Sequence, residues 1–300
     1  MSGTALEVVE VDVPLQPEGR RGRRGRVMRR FMRHRLAVAG LVVILVLGLA
    51  TIFAPLIAPR DPVAIDMLHR FAPPLHSGYV LGSDDLGRDV FSRLLYAGRI
   101  SLTVGLAAMA VTIVVGSLVG ATAAYYGGAV DILLMRLTDM VLCFPNIFLL
   151  LFLAAFISPG LGTIALIIGL TAWMEVARIV HAQVLSLKEQ DFILAAQLLG
   201  LPRWQIVLRH ILPNTMAPIL VAATLNIANA ILLESYISFL GYGIQPPTAS
   251  WGNMLYNAQS DFAIDPWLAI FPGIMITLAV MSFNFIGDGL RDALDPRLRI

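Results

Sequence analysis

The sequence predicts an all-α, polytopic membrane protein with six transmembrane helices. Its 300 residues are 57% hydrophobic and only 14% charged, far more apolar than soluble domains, which carry roughly 25% charged residues. Apolar stretches of about 20 residues recur along the chain, each long enough at about 1.5 Å per residue to cross roughly 30 Å of hydrocarbon. Basic residues are also unevenly shared among the joining segments. A net charge of +2 hides nine basic residues packed between Arg20 and Arg35. A hydrophobic stretch starts directly after this cluster, so retention on the cytoplasmic side explains it more simply than nucleic-acid binding.

Taken in order, residues 1–19 lack periodicity and, with the basic cluster, form an expected cytoplasmic Arg-rich tail over 1–35. Residues 36–58 read as an uncleaved first transmembrane helix, too long for a typical signal-peptide core and preceded by an unusually long leader. An external segment is expected over 59–99. A core of five spans follows over 100–287, at 100–125, 132–157, 162–183, 215–240 and 267–287, and the carboxyl tail takes 288–300. Six crossings put both termini on one side. With the amino terminus inside, the cytoplasmic segments and helix ends hold 17 Lys and Arg and the 59–99 segment holds five. The loop 184–213 is then cytoplasmic.

Polar residues within the spans are costly in lipid and usually face protein or water. Arg136 with Asp139, and Glu175 with Arg178, sit three apart and are expected to neutralise each other along their own helices, with a proton or ion relay as the other reading. Asn226 and Asn229 lie near the middle of the fifth span, and Pro145 and Asn146 at a similar depth in the third. Asn146, Asn226 and Asn229 are candidates for lining a pathway, with interhelical hydrogen bonding as the other reading. Gly116 and Gly120 predict close helix packing. Glu234 falls nearer a span end than a span centre. Cys143 is the one cysteine, which excludes an intramolecular disulfide. The Asp- and Gly-rich run at 82–89 suits a structural turn better than a calcium loop, because it lacks the EF-hand ligand order.

The stretch Lys188–Asn214, KEQDFILAAQLLGLPRWQIVLRHILPN, differs from its apolar surroundings. Phe192, Ala195, Ala196 and Leu199 recur at helical spacing, as do Trp204, Val207, Leu208 and Ile211, predicting two amphipathic helices. Gly200 suits a left-handed helix stop, and Pro202 suits the first position of the next helix. Without further information the pair is either a docking element or an interfacial helix pair lying in the headgroups. Ala195-Ala196, Gly200 and Leu212-Pro213 resemble the "EAA" loop of ABC importer permeases, with Leu194 where that family usually has Glu.

Further stretches carry the same resemblance. Leu81–Asp89 followed by Arg99–Leu102, Ser238–Gly241, Gln245-Pro246-Pro247, Ser250–Asn253 and Gly287–Arg297 are similar to the "C" type permease of the dipeptide, oligopeptide and nickel branch, from about Arg33 onward. The resemblance implies a type I ABC importer permease fold. It also implies that Asp191, Ala195, Ala196, Gly200, Trp204, Arg209, Leu212 and Pro213 belong to an ATPase-coupling loop, and that the external Gln245, Pro246, Pro247 and Trp251 meet a substrate-binding protein. Simple interfacial anchoring is the other reading of Trp251. Implied partners are a second homologous permease, two ATPase subunits or domains, an extracytoplasmic binding protein and membrane lipid, with no nucleic acid.

The single lysine, Lys188, follows Leu187, so the chain has no GxxxxGK[ST] phosphate loop. No cofactor or metal site is expected here, and ATP with Mg is expected on the partner ATPases. The chain is thus expected to be a non-catalytic subunit of an importer for di- or oligopeptides in a bacterial cytoplasmic membrane. Nickel or another small solute is the substrate alternative, and a self-contained secondary transporter or channel is the alternative from another class.

Overall fold

A computed structural model describes residues 20–158 and 160–294. The expected tail over 1–19 and the residues 295–300, which include the Asp295-Pro296-Arg297 end of the carboxyl motif, lie outside the described residues. Among the described residues there is no β-strand. The helices are α1 (Arg20–Arg33), α2 (Arg35–Ile52), α3 (Ala54–Ile57), α4 (Val90–Tyr126), α5 (Gly128–Leu142), α6 (Asn146–Phe156) and α7 (Leu161–Leu187). They continue with α8 (Asp191–Leu198), α9 (Arg203–Ile206), α10 (Leu212–Asn214), α11 (Met216–Phe239), α12 (Trp251–Asn257) and α13 (Trp267–Leu294).

Five helices, α2, α4, α7, α11 and α13, are each long and apolar enough to cross a membrane. The expected third span over 132–157 is not one straight helix. It is the pair α5 and α6, bent by 86° at the intervening residues, so the chain has six crossings only if this bent pair counts as one. Pro145 explains the break. It has φ −58° and ψ 121°, contributes no N–H to a helical ladder, and disfavours helical geometry at Phe144 before it.

The long helix α4 is the axis of the fold. Its 37 residues extend about 55 Å at 1.5 Å per residue, well beyond one hydrocarbon thickness. It therefore starts earlier than the expected Ile100, and its first turns lie in the expected external segment. Asp89 caps it by accepting from Ser92 N at 2.8 Å, satisfying one of the free amides at a helix start. Gly116 and Gly120 form the seam with α7. A Cβ at Gly116 would come within 2.7 Å of the Trp173 carbonyl, and one at Gly120 would strike the Ala177 carbonyl. Glycine is required by this close approach, as the GxxxG spacing predicts.

One apolar cluster joins Leu47 of α2 to Leu94 and Ala97 of α4, Ile231 of α11, Trp251 of α12 and Phe283 of α13. A second joins Val104 and Ala108 of α4, Leu150 of α6, Ile168 of α7 and Ile237 of α11. On α2, Val42, Leu45, Val46 and Leu49 are exposed, the outward apolar face expected of a helix in lipid.

The segment from Ala58 to Asp89 is tied by polar contacts. Arg88 Nε donates to Asp84 Oδ2 at 2.7 Å, and Arg93 Nε lies 3.5 Å from the same oxygen. Asp84 Oδ1 accepts from the amides of Leu86 and Arg88. Both oxygens of Asp84 are therefore used in structure, and no group of three metal-ligating side chains occurs among the described residues. Nearby, Tyr79 donates to Asp66 and to the Gly87 carbonyl, with the Arg60 guanidinium 3.9 Å from its ring centroid. The His69 side chain hydrogen-bonded to Asp66 holds that carboxyl below its usual range, while burial pushes the Tyr79 hydroxyl up.

Candidate functional site

The connection from α7 to α11 is a run of short helices built on apolar contacts. Ile193, Ala196, Ile206, Val207 and Ile211 are buried and pack on Ala121 and Ala124 of α4, Val176, Val180 and Val184 of α7, and Ile219 and Ala222 of α11. α8 ends as its sequence dictates. Gly200 has φ +74°, the Gly200 amide donates to Gln197 O at 3.0 Å, and the Leu201 amide donates to Ala196 O at 3.3 Å. This is the Schellman arrangement that a C′ glycine permits. Pro202 sits one residue before α9 rather than inside it. Beyond α9 the chain continues through a π-helical turn over Val207–Ile211.

The inward face of this element differs from the expected stripes. Ile193 and Ala196 are buried, whereas Phe192, Ala195 and Leu199 point away, as do Leu194 and Leu208. Spacing alone gave one helix face as apolar, but α8 is apolar almost all round, so packing decides which side is covered. Leu198 is 88% exposed and Trp204 61% exposed. Asp191, Arg209 and Pro213 are exposed and Leu212 is half-buried. Of the two expected close-approach alanines, Ala195 is outward and Ala196 serves the intramolecular contact instead. The outcome is a contiguous stretch of chain with uncovered large apolar side chains on a firmly packed base, a pattern that marks interaction surfaces.

A cavity of ≈ 270 Å³ lies where α5 breaks into α6, against α7 and α11. Asn146, Asn226 and Asn229, the expected pathway residues, all line it, together with Thr171 and Glu175. Asn226 donates to Ala222 O at 2.8 Å within its own helix. The expected self-neutralising pairs do not form. Arg178 reaches across to Asp139 of α5 instead, and His181 Nε2 lies 2.8 Å from Asp131 Oδ1. Among the described residues no ion pair joins Glu175 to Arg178 or Arg136 to Asp139. Arg178 is thus spent on α5, and Glu175 lines the cavity wall.

Residues 112–300 match the family of binding-protein-dependent transport system inner membrane components, and residues 23–74 match the N-terminal transmembrane domain of oligopeptide transport permease C. The chain belongs to this family of transport permeases. It is 41% identical over 272 residues to the oligopeptide transport system permease protein OppC of Haemophilus influenzae, covering 90% of this chain and 88% of that protein. The OppC of Bacillus subtilis is 39% identical over 272 residues, covering 91% and 89%. The dipeptide transport system permease protein DppC of Alkalihalophilus pseudofirmus is 39% identical over 267 residues, covering 89% and 88%. Members of the family are membrane components of ABC transporters in which ATP is hydrolysed by other subunits, and the chain is a multi-pass inner-membrane protein.

The permease carries a second polar site that sequence reasoning misjudged. Trp251, expected at an external contact, is 1% exposed. Its indole Nε1 donates to Leu94 O at 3.2 Å, and its ring lies against the place where a Cβ at Gly98 would stand. Trp251 is therefore a core residue, neither an interfacial anchor nor a contact for another protein. Gln245, Pro246 and Pro247 remain exposed beside it. Glu234, placed at a span end by sequence, is 0% exposed and bonded by Ser101 and Ser238. The signal for it was present: a lone carboxylate within an apolar span, with no basic residue three or four positions away, must find partners from other elements.

Proposed function

We propose that this chain is one of two unlike permease subunits of an importer for di- or oligopeptides. Its 191–213 loop docks on a separate ATPase subunit that binds ATP and Mg. The observation that carries this reading is the exposed apolar surface of Leu198, Leu199 and Trp204 on an element whose other face is buried in the permease. Solvent-exposed side chains of this size favour a protein partner that covers them. The cavity bordered by Asn146, Asn226, Asn229 and Glu175 supplies polar groups suited to the amides of a passing peptide. The naming of similar proteins as oligopeptide and dipeptide permeases favours peptide over nickel.

In this reading both termini and the 191–213 loop are cytoplasmic, and Gln245, Pro246 and Pro247 face an extracytoplasmic binding protein. Affinity purification in mild detergent should recover a second permease and two ATPase chains or domains. Recovery of this chain alone, with peptide uptake intact, would point to a self-contained transporter. Orientation is tested by single cysteines on a background lacking Cys143. Cysteine in place of the exposed Leu68 should react with an impermeant thiol reagent on intact cells, and cysteine at Leu198 only after permeabilisation. The reverse pattern would invert the topology.

A further inference from the structure

Glu234 sits near the carboxyl end of α11 with no exposed surface. Its Oε2 accepts from Ser101 Oγ of α4 at 2.8 Å, and its Oε1 accepts from Ser238 Oγ at 2.8 Å. Each serine oxygen then accepts a backbone amide from the external loop. Trp251 N donates to Ser101 Oγ at 3.2 Å, and Ile244 N donates to Ser238 Oγ at 3.3 Å. A hydroxyl has one proton and two lone pairs. With both protons committed to the carboxyl oxygens, the lone pairs of both serines are left for the two loop amides. One side chain thus sets the polarity of two hydroxyls and, through them, both ends of the segment 244–251.

Nothing cushions this linkage. A Cβ at Gly243 would collide with the Ser238 side chain, and one at Gly252 would lie 2.7 Å from Ser238 Cβ. The loop backbone therefore rests directly on the serine that Glu234 orients. The segment is braced internally by Ser250 and Asn253, which form a capping box at α12, and by Asn253 Nδ2 donating to Ile244 O at 3.1 Å and Thr248 O at 2.7 Å. Held at both ends and braced within, it presents Gln245, Pro246 and Pro247 outward.

We propose that Glu234 is the positioning residue that, through Ser101 and Ser238, sets the 244–251 segment in the geometry a solute-binding protein recognises. Because one serine belongs to α4 and the other to α11, any shift between these helices is passed to that surface. This inference rests on the reading of Gln245-Pro246-Pro247 as a binding-protein contact.

The test uses the complete transporter in proteoliposomes, with ATP hydrolysis followed as the purified solute-binding protein of the same system is added. The concentration giving half-maximal stimulation is read on each preparation's own scale, so assembly yield does not enter. Glu234→Gln replaces one accepting oxygen with a donor and must reverse one serine. It should raise that concentration about tenfold, the scale expected for leaving a buried polar group without its partner. Ser238→Ala should do the same, and it keeps the test available if Glu234→Gln does not assemble. The double variant should be no worse than the poorer single one, because both cut one relay, whereas general loosening would multiply the effects. Shifts under about twofold in both single variants, or multiplied effects in the double, overturn the inference. A wild-type complex that ignores the binding protein would sink the docking reading and this inference with it. A responsive wild type with unshifted variants would sink this inference alone.

Discussion

Two connections, residues 188–214 with three short helices and residues 240–258 with one, each carry one tryptophan, yet they use it oppositely. Trp204 is 61% exposed on the first, whereas Trp251 is 1% exposed on the second. The first is fastened by apolar side chains that reach down onto α4, α7 and α11. The second is fastened by an indole and a relay of hydroxyls and amides around Glu234. An element fixed by one face can leave its other apolar side chains for a partner. One fixed through its tryptophan keeps that ring from any partner and offers Gln245, Pro246 and Pro247 beside the exposed rings of Tyr242 and Tyr256.

The contrast is most easily broken at the tryptophans. Trp251→Ala should cost about 3–5 kcal/mol, as for other buried large-to-small changes, and should also leave the Leu94 carbonyl without its indole donor. Membrane levels of the folded chain should collapse, with a lower Tm in detergent. A Trp251→Ala permease of normal level and normal Tm would show that this connection is not held by its indole. Trp204→Ala should leave Tm within error while losing about 2 kcal/mol of partner binding, if Trp204 is an anchor. That corresponds to a more than tenfold fall in ATPase co-purification. Equal loss of Tm in both variants would erase the distinction.

Gly200→Val sharpens the comparison further. A Cβ at Gly200 meets nothing within 4 Å, so its only penalty is the left-handed backbone, roughly 1–2 kcal/mol for an ordinary L residue. The expected outcome is normal membrane insertion with peptide uptake and ATPase binding reduced together. Degradation of the variant would instead give the turn a structural role in the whole chain. The smallest effect is expected at Asn226→Ala. Asn226 borders the cavity and spends one donor on its own helix, so uptake should fall a few-fold at most while ATPase co-purification stays unchanged. Loss of co-purification would couple the cavity to the 191–213 loop through Ala222, which bonds Asn226 and packs against that loop.

Much of this was present in the one-dimensional pattern. Apolar length alone gives helices at α2, α4, α7, α11 and α13, because a helix must satisfy its own backbone in lipid. Gly200 announces its turn, since few other residues take a positive φ without strain. Gly116 and Gly120 announce a close helix seam. The three cavity asparagines were legible as polar exceptions within apolar spans, although their shared wall was not.

What the tertiary structure decided is where each side chain went when several faces were equally apolar. Periodicity cannot choose between Phe192 and Ile193 on a helix that is apolar almost all round; the ends of α4, α7 and α11 choose Ile193. Nor can spacing choose Arg178's partner, because Glu175 lies within reach on the same helix and Asp139 comes near only once α5 packs on α7. Trp251 and Glu234 are the clearest cases. A tryptophan beside a Pro-rich loop suggests an interface, and a carboxylate near a helix end suggests solvent. Ser101 and Leu94 bury them instead, from positions 133 to 157 residues away in the chain. Contacts of that range arise only when α11 and α12 pack against α4, and no local pattern encodes which residues they bring together.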